Sequence, residues 1–151
     1  MKQKAGIVLV VDDERDHADG IAEALDKYCS KAIAVYNGKD AIEILHSRQV
    51  DIVVTDLKLG GDVDGLGVLR EAKEQDERTE VILITAYGTI DTCKEAIKQG
   101  AYDYLVKPID IGQLRTLVSQ AARKVSAATA LRSPRTGSDD VARLFRNTAF
   151  R

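Results

Sequence analysis

Ile7-Val8-Leu9-Val10-Val11 runs without a polar side chain and stops at Asp12-Asp13. A continuous aliphatic run of this length reads as a strand covered on both faces, as in a parallel sheet. Ile52-Val53-Val54, between Asp51 and Asp56, has the same character, and so has Val81-Ile82-Leu83-Ile84 before Thr85. Shorter strands are expected at 32–36 and 102–106, the second halted by Pro108. Helical spacing fills the gaps. Ala18, Ile21, Ala22, Leu25 and Cys29 place an amphipathic helix over 14–28, and Asn37-Gly38 opens one carrying Ala41, Ile42 and Leu45. Leu66, Leu69 and Ala72 mark a third after a loop at 60–65. Thr89 is the expected N-cap of a fourth, with Ile90, Cys93 and Ile97 facing the core and Gly100 as its stop. Asp110 caps a last helix to about Leu131. Five strands alternating with five helices predict an α/β fold, a doubly wound five-stranded parallel sheet with right-handed crossovers.

Sheets of this kind bind ligands beyond the carboxyl ends of their strands. Strand one ends in Asp12-Asp13, strand three in Asp56, strand four in Thr85 and strand five in Lys107-Pro108. Neighbouring strands lie roughly 5 Å apart, so these groups converge. Crowded carboxylates repel one another and resist full ionisation. A hard divalent cation relieves that conflict, and an oxygen-rich site with few protein ligands suits Mg2+. Lys107 adds a point charge and Thr85 a hydroxyl, both suited to a phosphate. Taken singly, each residue has a plainer reading. An aspartate after a strand is usually a helix cap, and a lysine is usually a solvated surface group. The joint placement, one group at the end of each of four strands, favours a site.

The same segments carry a family likeness. Val-Val-Asp12-Asp13-Glu, Val-Val-Thr-Asp56-Leu, Ile-Thr85-Ala86-Tyr-Gly and Tyr104-Leu-Val-Lys107-Pro108 resemble, in order, the motifs of response regulator receiver domains over about residues 5–125. The stretch from Thr85 to Tyr104 is most similar to receivers of NtrC-type transcriptional activators. The resemblance implies a flavodoxin-like, CheY-like (βα)5 fold with strand order 2-1-3-4-5. It implies that Asp56 accepts a phosphoryl group from a sensor histidine kinase. Asp13 and Asp56 would ligate Mg2+ directly, Asp12 through water, and Lys58 through its backbone carbonyl. Lys107 and the Ala86 backbone would hold the phosphoryl oxygens. Thr85 and Tyr104 would act as switch residues, and the Lys107-Pro108 bond would be cis. One departure stands out. Gly60 occupies the family's proline position and Asp64-Gly65 falls one residue late, so the 60–63 loop is expected to be longer and more flexible.

Bulk properties limit the alternatives. With 151 residues, 44 % hydrophobic and 30 % charged, the chain is one domain with a sizeable core. It has no apolar run near twenty residues and no secretory leader pattern, so a cytoplasmic location away from the membrane is expected. A net charge of -2 argues against direct nucleic-acid binding. The charge is uneven, however. Residues 132–151 contain five Arg and two Asp and read as a basic linker or tail, leaving 1–131 as the receiver unit. Cys29 and Cys93 lack metal-ligand spacing, and Cys93 is expected to be a small buried hydrophobe. His17 and His46 are expected to be exposed helix residues. Leu114, Val118, Ala121, Val125 and Ala128 fit core packing as well as a dimer seam. A magnesium phosphohydrolase working through an aspartyl phosphate would carry a second acid two residues after its nucleophile. Lys58 stands there, so a signalling domain is expected and not an enzyme with an external substrate. The mixed charge of Lys94, Lys98, Arg115 and Arg123 against Asp91, Glu95, Asp103 and Asp110 suits a phosphorylation-dependent homodimer through the 88–125 face.

Overall fold

A computed structural model of the protein describes residues 5–86 and 90–131, apart from the side chains of Ile90 and Leu131. The expected N-cap at Thr89 and the basic tail at 132–151 lie outside the described residues. The strands are β1 (Ala5–Val11), β2 (Cys29–Val35), β3 (Ile52–Asp56), β4 (Glu80–Thr85) and β5 (Asp103–Val106). The helices are α1 (Arg15–Leu25), α2 (Gly38–Ser47), α3 (Gly65–Gln75), α4 (Ile90–Lys98) and α5 (Ile111–Leu131). All strand pairs are parallel, in the order β2-β1-β3-β4-β5. Among the described residues no helix is long and apolar enough to cross a membrane.

The apolar runs of the sequence divide by alternation, because successive strand side chains point to opposite faces. Val8, Val10, Ile52, Val54, Ile82 and Ile84 pack with Ala18, Ile21 and Leu25 of α1 and Leu114, Val118 and Ala121 of α5. Leu9, Val11, Val53, Val81 and Leu83 pack on the other face with Ala41 and Leu45 of α2, Leu69 and Ala72 of α3, and Ala96 of α4. The α5 repeat is therefore core as far as Val125, and Ala128 is half-buried.

Local chemistry accounts for the helix ends. Asn37 caps α2 by accepting from the Asp40 N–H at 2.7 Å, and Asp64 caps α3 by accepting from Gly67 at 2.9 Å. Gly100 ends α4 at φ +104°, a conformation glycine adopts freely.

Three expectations need correction. The first helix stops at Leu25, and a short 3-10 turn over Asp26–Tyr28 follows. Cys29 then opens β2 instead of closing α1. Its burial fits either element, which is why the helical spacing ran on. Ile97 is 47 % exposed, because α4 meets the core through Cys93 and Ala96, and Ala96 places its neighbour about 100° round the helix. His17 is half-buried and in contact with Asp12, and exposed His46 meets Glu71 of α3.

Candidate functional site

Register brings the strand-end residues together. Val11 of β1 stands beside Thr55 of β3, Asp56 beside Ile84 of β4, and Thr85 beside Val106 of β5. Asp12, Asp56, Thr85 and Lys107 therefore fall within two residues of one level at the same edge. Backbone bonds hold it: Asp12 N–H to Val35 O at 3.2 Å, Leu57 N–H to Ile84 O at 2.7 Å, and Lys107 N–H to Thr85 O at 2.8 Å.

Asp12, Asp13 and Asp56 each present a carboxylate oxygen within 4.8 Å of the others. Asp12 and Asp56 are buried and Asp13 is exposed. Lys107 Nζ donates to Asp56 Oδ2 at 3.0 Å. Asp56 Oδ1 is buried and has no hydrogen-bond partner among the described residues. An orphaned buried oxygen is costly, and here it sits on a residue of the acid cluster. A hard cation would satisfy it, so the donor set fits Mg2+. Burial pushes the Asp56 carboxyl up to about 6; Lys107 pulls against that rise and Asp12 adds to it. For Lys107, burial opposes the charge, but Asp56 prevails and the amine stands above its ordinary value.

A cavity of about 390 Å³ opens beside Asp56, lined by Leu57, Lys58, Ile84, Thr85, Ala86, Thr92 and Lys107. Lys58 and Ala86 are exposed, and Thr85 is buried. Tyr104 is 37 % exposed and stands apart from this cavity. Its hydroxyl lies against the Cys93 thiol, which holds the phenol above its usual value. The Lys107-Pro108 peptide is cis. In the longer loop, Gly61 adopts φ +91°, and the Gly60 N–H donates to Asp13 Oδ2 at 3.3 Å. The loop is thus tied to the acid cluster.

Two nearby residues escaped the sequence reading. Thr92 of α4 lines the cavity, on the flank of the Cys93 stripe that the helical period picked out. His17 Nδ1 contacts Asp12 Oδ2, while the Glu14 N–H donates to Asp12 Oδ1 at 2.9 Å.

The fold and this strand-end constellation define a receiver-type α/β domain. The sequence model of the response regulator receiver domain matches residues 8–119, and the chain belongs to that family. It is 38 % identical over 122 residues to the response regulator protein PilR of Pseudomonas aeruginosa, covering 81 % of this chain and 26 % of that protein. It is 31 % identical to the regulatory protein AtoC of Escherichia coli, covering 83 % and 27 %. The likeness to NtrC-type receivers is borne out by these relatives. The crystal structure of the receiver domain of NtrX from Brucella abortus superposes with a TM-score of 0.71 at 32 % identity, covering 77 % of this chain and 98 % of that one. The chain spans about a quarter of the length of the curated relatives named here.

Proposed function

We propose that the protein is the phosphoacceptor switch of a two-component system, phosphorylated on Asp56 by a sensor histidine kinase in the presence of Mg2+. The observation that carries this reading is the state of the Asp56 carboxylate. It is buried, with one oxygen on Lys107 and the other without a hydrogen-bond partner among the described residues, in a cluster with Asp12 and Asp13. An Asp56 oxygen attacks the phosphorus of the kinase phosphohistidine, the P–N bond breaks, and the imidazole leaves. Lys107 is placed to neutralise the phosphoryl oxygens, joined by the Ala86 backbone and the Thr85 hydroxyl. Asp12, Asp13, Asp56 and the Lys58 carbonyl would hold Mg2+, which when bound supplies charge neutralisation between carboxylate and phosphate. The acyl phosphate then hydrolyses slowly in the same cavity. Lys58 stands two residues after Asp56, where a phosphohydrolase of this chemistry would carry a second carboxylic acid, and this favours a domain that catalyses only its own phosphorylation and dephosphorylation. With Mg2+ and acetyl phosphate, mass spectrometry is expected to find one acid- and base-labile phosphoryl group, absent from Asp56→Asn. Equal labelling of the variant would overturn the assignment.

The output follows from the switch residues. The acyl phosphate carries up to about two negative charges in place of the single charge of the Asp56 carboxylate. Drawing the Thr85 hydroxyl inward leaves room for Tyr104, which then leaves its contact with Cys93 and rotates in. A swing from 1:99 to 99:1 needs about 5.5 kcal/mol. Charge-assisted hydrogen bonds from Lys107 and Thr85 contribute roughly 1.5–3 kcal/mol each, enough for substantial but incomplete switching. The change reaches the face where Ile97 and Val106 are 47 % and 46 % exposed. We assign that 88–125 face to a phosphorylation-dependent homodimer. Sedimentation with and without beryllofluoride is expected to show monomer turning to dimer, and monomer in both conditions removes this part of the proposal. On this reading residues 1–131 are the receiver unit, 132–151 a basic linker or tail, and the protein acts in the cytoplasm without binding nucleic acid itself.

A further inference from the structure

We propose that His17 is a positioning residue for the cation site, acting through Asp12. The inference rests on the Mg2+ reading above and goes one step further out from the cation. Asp12 is buried, and donors from the start of α1 hold both of its oxygens. The Glu14 N–H donates to Oδ1, and the His17 ring meets Oδ2 through Nδ1. A carboxylate free to turn about its Cβ–Cγ bond offers its lone pairs in no fixed direction. Two donors, at positions two and five residues along the chain, stop that rotation. What remains of Asp12 is presented to Asp13 and Asp56 in one orientation. With Asp12 as acceptor, the ring proton sits on Nδ1 and the imidazole serves as a donor.

His17 does not sit among the ligands themselves. The donor atoms within 4.8 Å of one another belong to Asp12, Asp13 and Asp56 among the described residues, and the imidazole is outside that group. Its place is the outer one, behind a carboxylate. Partners in that position commonly change metal affinity tenfold or more when removed, without touching the ion. The helix gives the arrangement its rigidity. His17 is followed by Ala18 and Ile21, which are buried against the sheet, so the ring is carried on a backbone that cannot drift.

The test is calorimetric titration of Mg2+ and of Mn2+ into the wild-type chain and into His17→Ala, His17→Asn and Asp13→Ala. Thermal melts in chelator check that each variant folds. Asp13→Ala is expected to lose most of the affinity for both ions. His17→Ala is expected to bind both ions about tenfold more weakly. His17→Asn should recover most of the loss, because its side-chain amide N–H stands where Nδ1–H stood. Unchanged Mg2+ affinity in His17→Ala overturns the proposal. So does a loss much greater for Mn2+ than for Mg2+, since imidazole favours transition metals and such a bias would make His17 a ligand. If the wild type does not bind Mg2+, or Asp13→Ala binds it unchanged, the acid-pocket reading itself fails and this inference falls with it.

Discussion

Asp56→Asn, the substitution that should abolish phosphorylation, is expected to stabilise the protein by roughly 2–3 kcal/mol at pH 7 in metal-free buffer. Burial raises the Asp56 carboxyl from 3.8 to about 6. The folded state therefore holds a proton that the unfolded chain releases at lower pH. Below about pH 4 both states are protonated and the group is neutral in its effect. Between about pH 4 and pH 6 the unfolded chain ionises first, and stability falls as pH rises. Above about pH 6 the full cost of a buried charge is present. The gain from asparagine should thus be near zero at pH 4, grow through pH 6, and level off. Mg2+ favours the ionised carboxylate in the folded protein, so adding it should shrink the gap. Lys107 loses its partner in the variant, but that side chain is partly solvated, so the offset is small. Urea unfolding across this pH range measures the effect. A variant no more stable than wild type at pH 7, or a gain that ignores pH, would show that the site is not held under electrostatic strain.

Gly65→Ala is expected to destabilise the protein by roughly 3 kcal/mol and to disturb Asp56 at the same time. Gly65 is the first residue of α3, and its N–H donates to Leu57 O at 2.8 Å. A Cβ built there would stand 2.2 Å from the Asp56 carbonyl oxygen and 2.7 Å from Leu57 Cα. These are backbone atoms at the end of β3, so relief requires moving the strand that carries Asp56. The control is Gly20→Ala in α1, where an added Cβ meets nothing within 4 Å. Alanine is the better helix former, so that change should stabilise by about 1 kcal/mol. Paired unfolding curves read both, and a Gly65→Ala protein as stable as Gly20→Ala would refute the steric argument.

The central strands and the four strand-end groups were legible because they rest on strong local signals. Val8 to Val11, 52–54 and 81–84 have no polar residue to blur their period, and Asp12, Asp56, Thr85 and Lys107 each stop a run. What escaped depends on contacts between elements. Nothing in the α1 pattern distinguishes His17 facing Asp12 from His17 facing water. Cys29 satisfies a helical stripe and a buried strand end equally. At the far end of the sheet, buried Glu80 is held by Lys73 at 3.1 Å and Lys124 at 2.9 Å. That trio draws on α3, β4 and α5, and no spacing rule joins residues so far apart. Gly65 looked like part of a loop, because its close approach to β3 is invisible without the backbone.

The sheet order has a consequence for how long each half of the site survives. β1 and β3 are interior strands, paired on both sides, and they carry the three carboxylates at their ends. β5 is a four-residue edge strand, held on one side only, and it leads into Lys107. Brief local openings begin where pairing is thinnest. When β5 lifts away, Lys107 and Tyr104 depart together while the acid cluster stays assembled. On the proposed reading, the hold on a cation and the Lys107 contact to a phosphoryl group on Asp56 would thus have unequal lifetimes, the first anchored in the most durable part of the molecule and the second hinged on its most perishable margin.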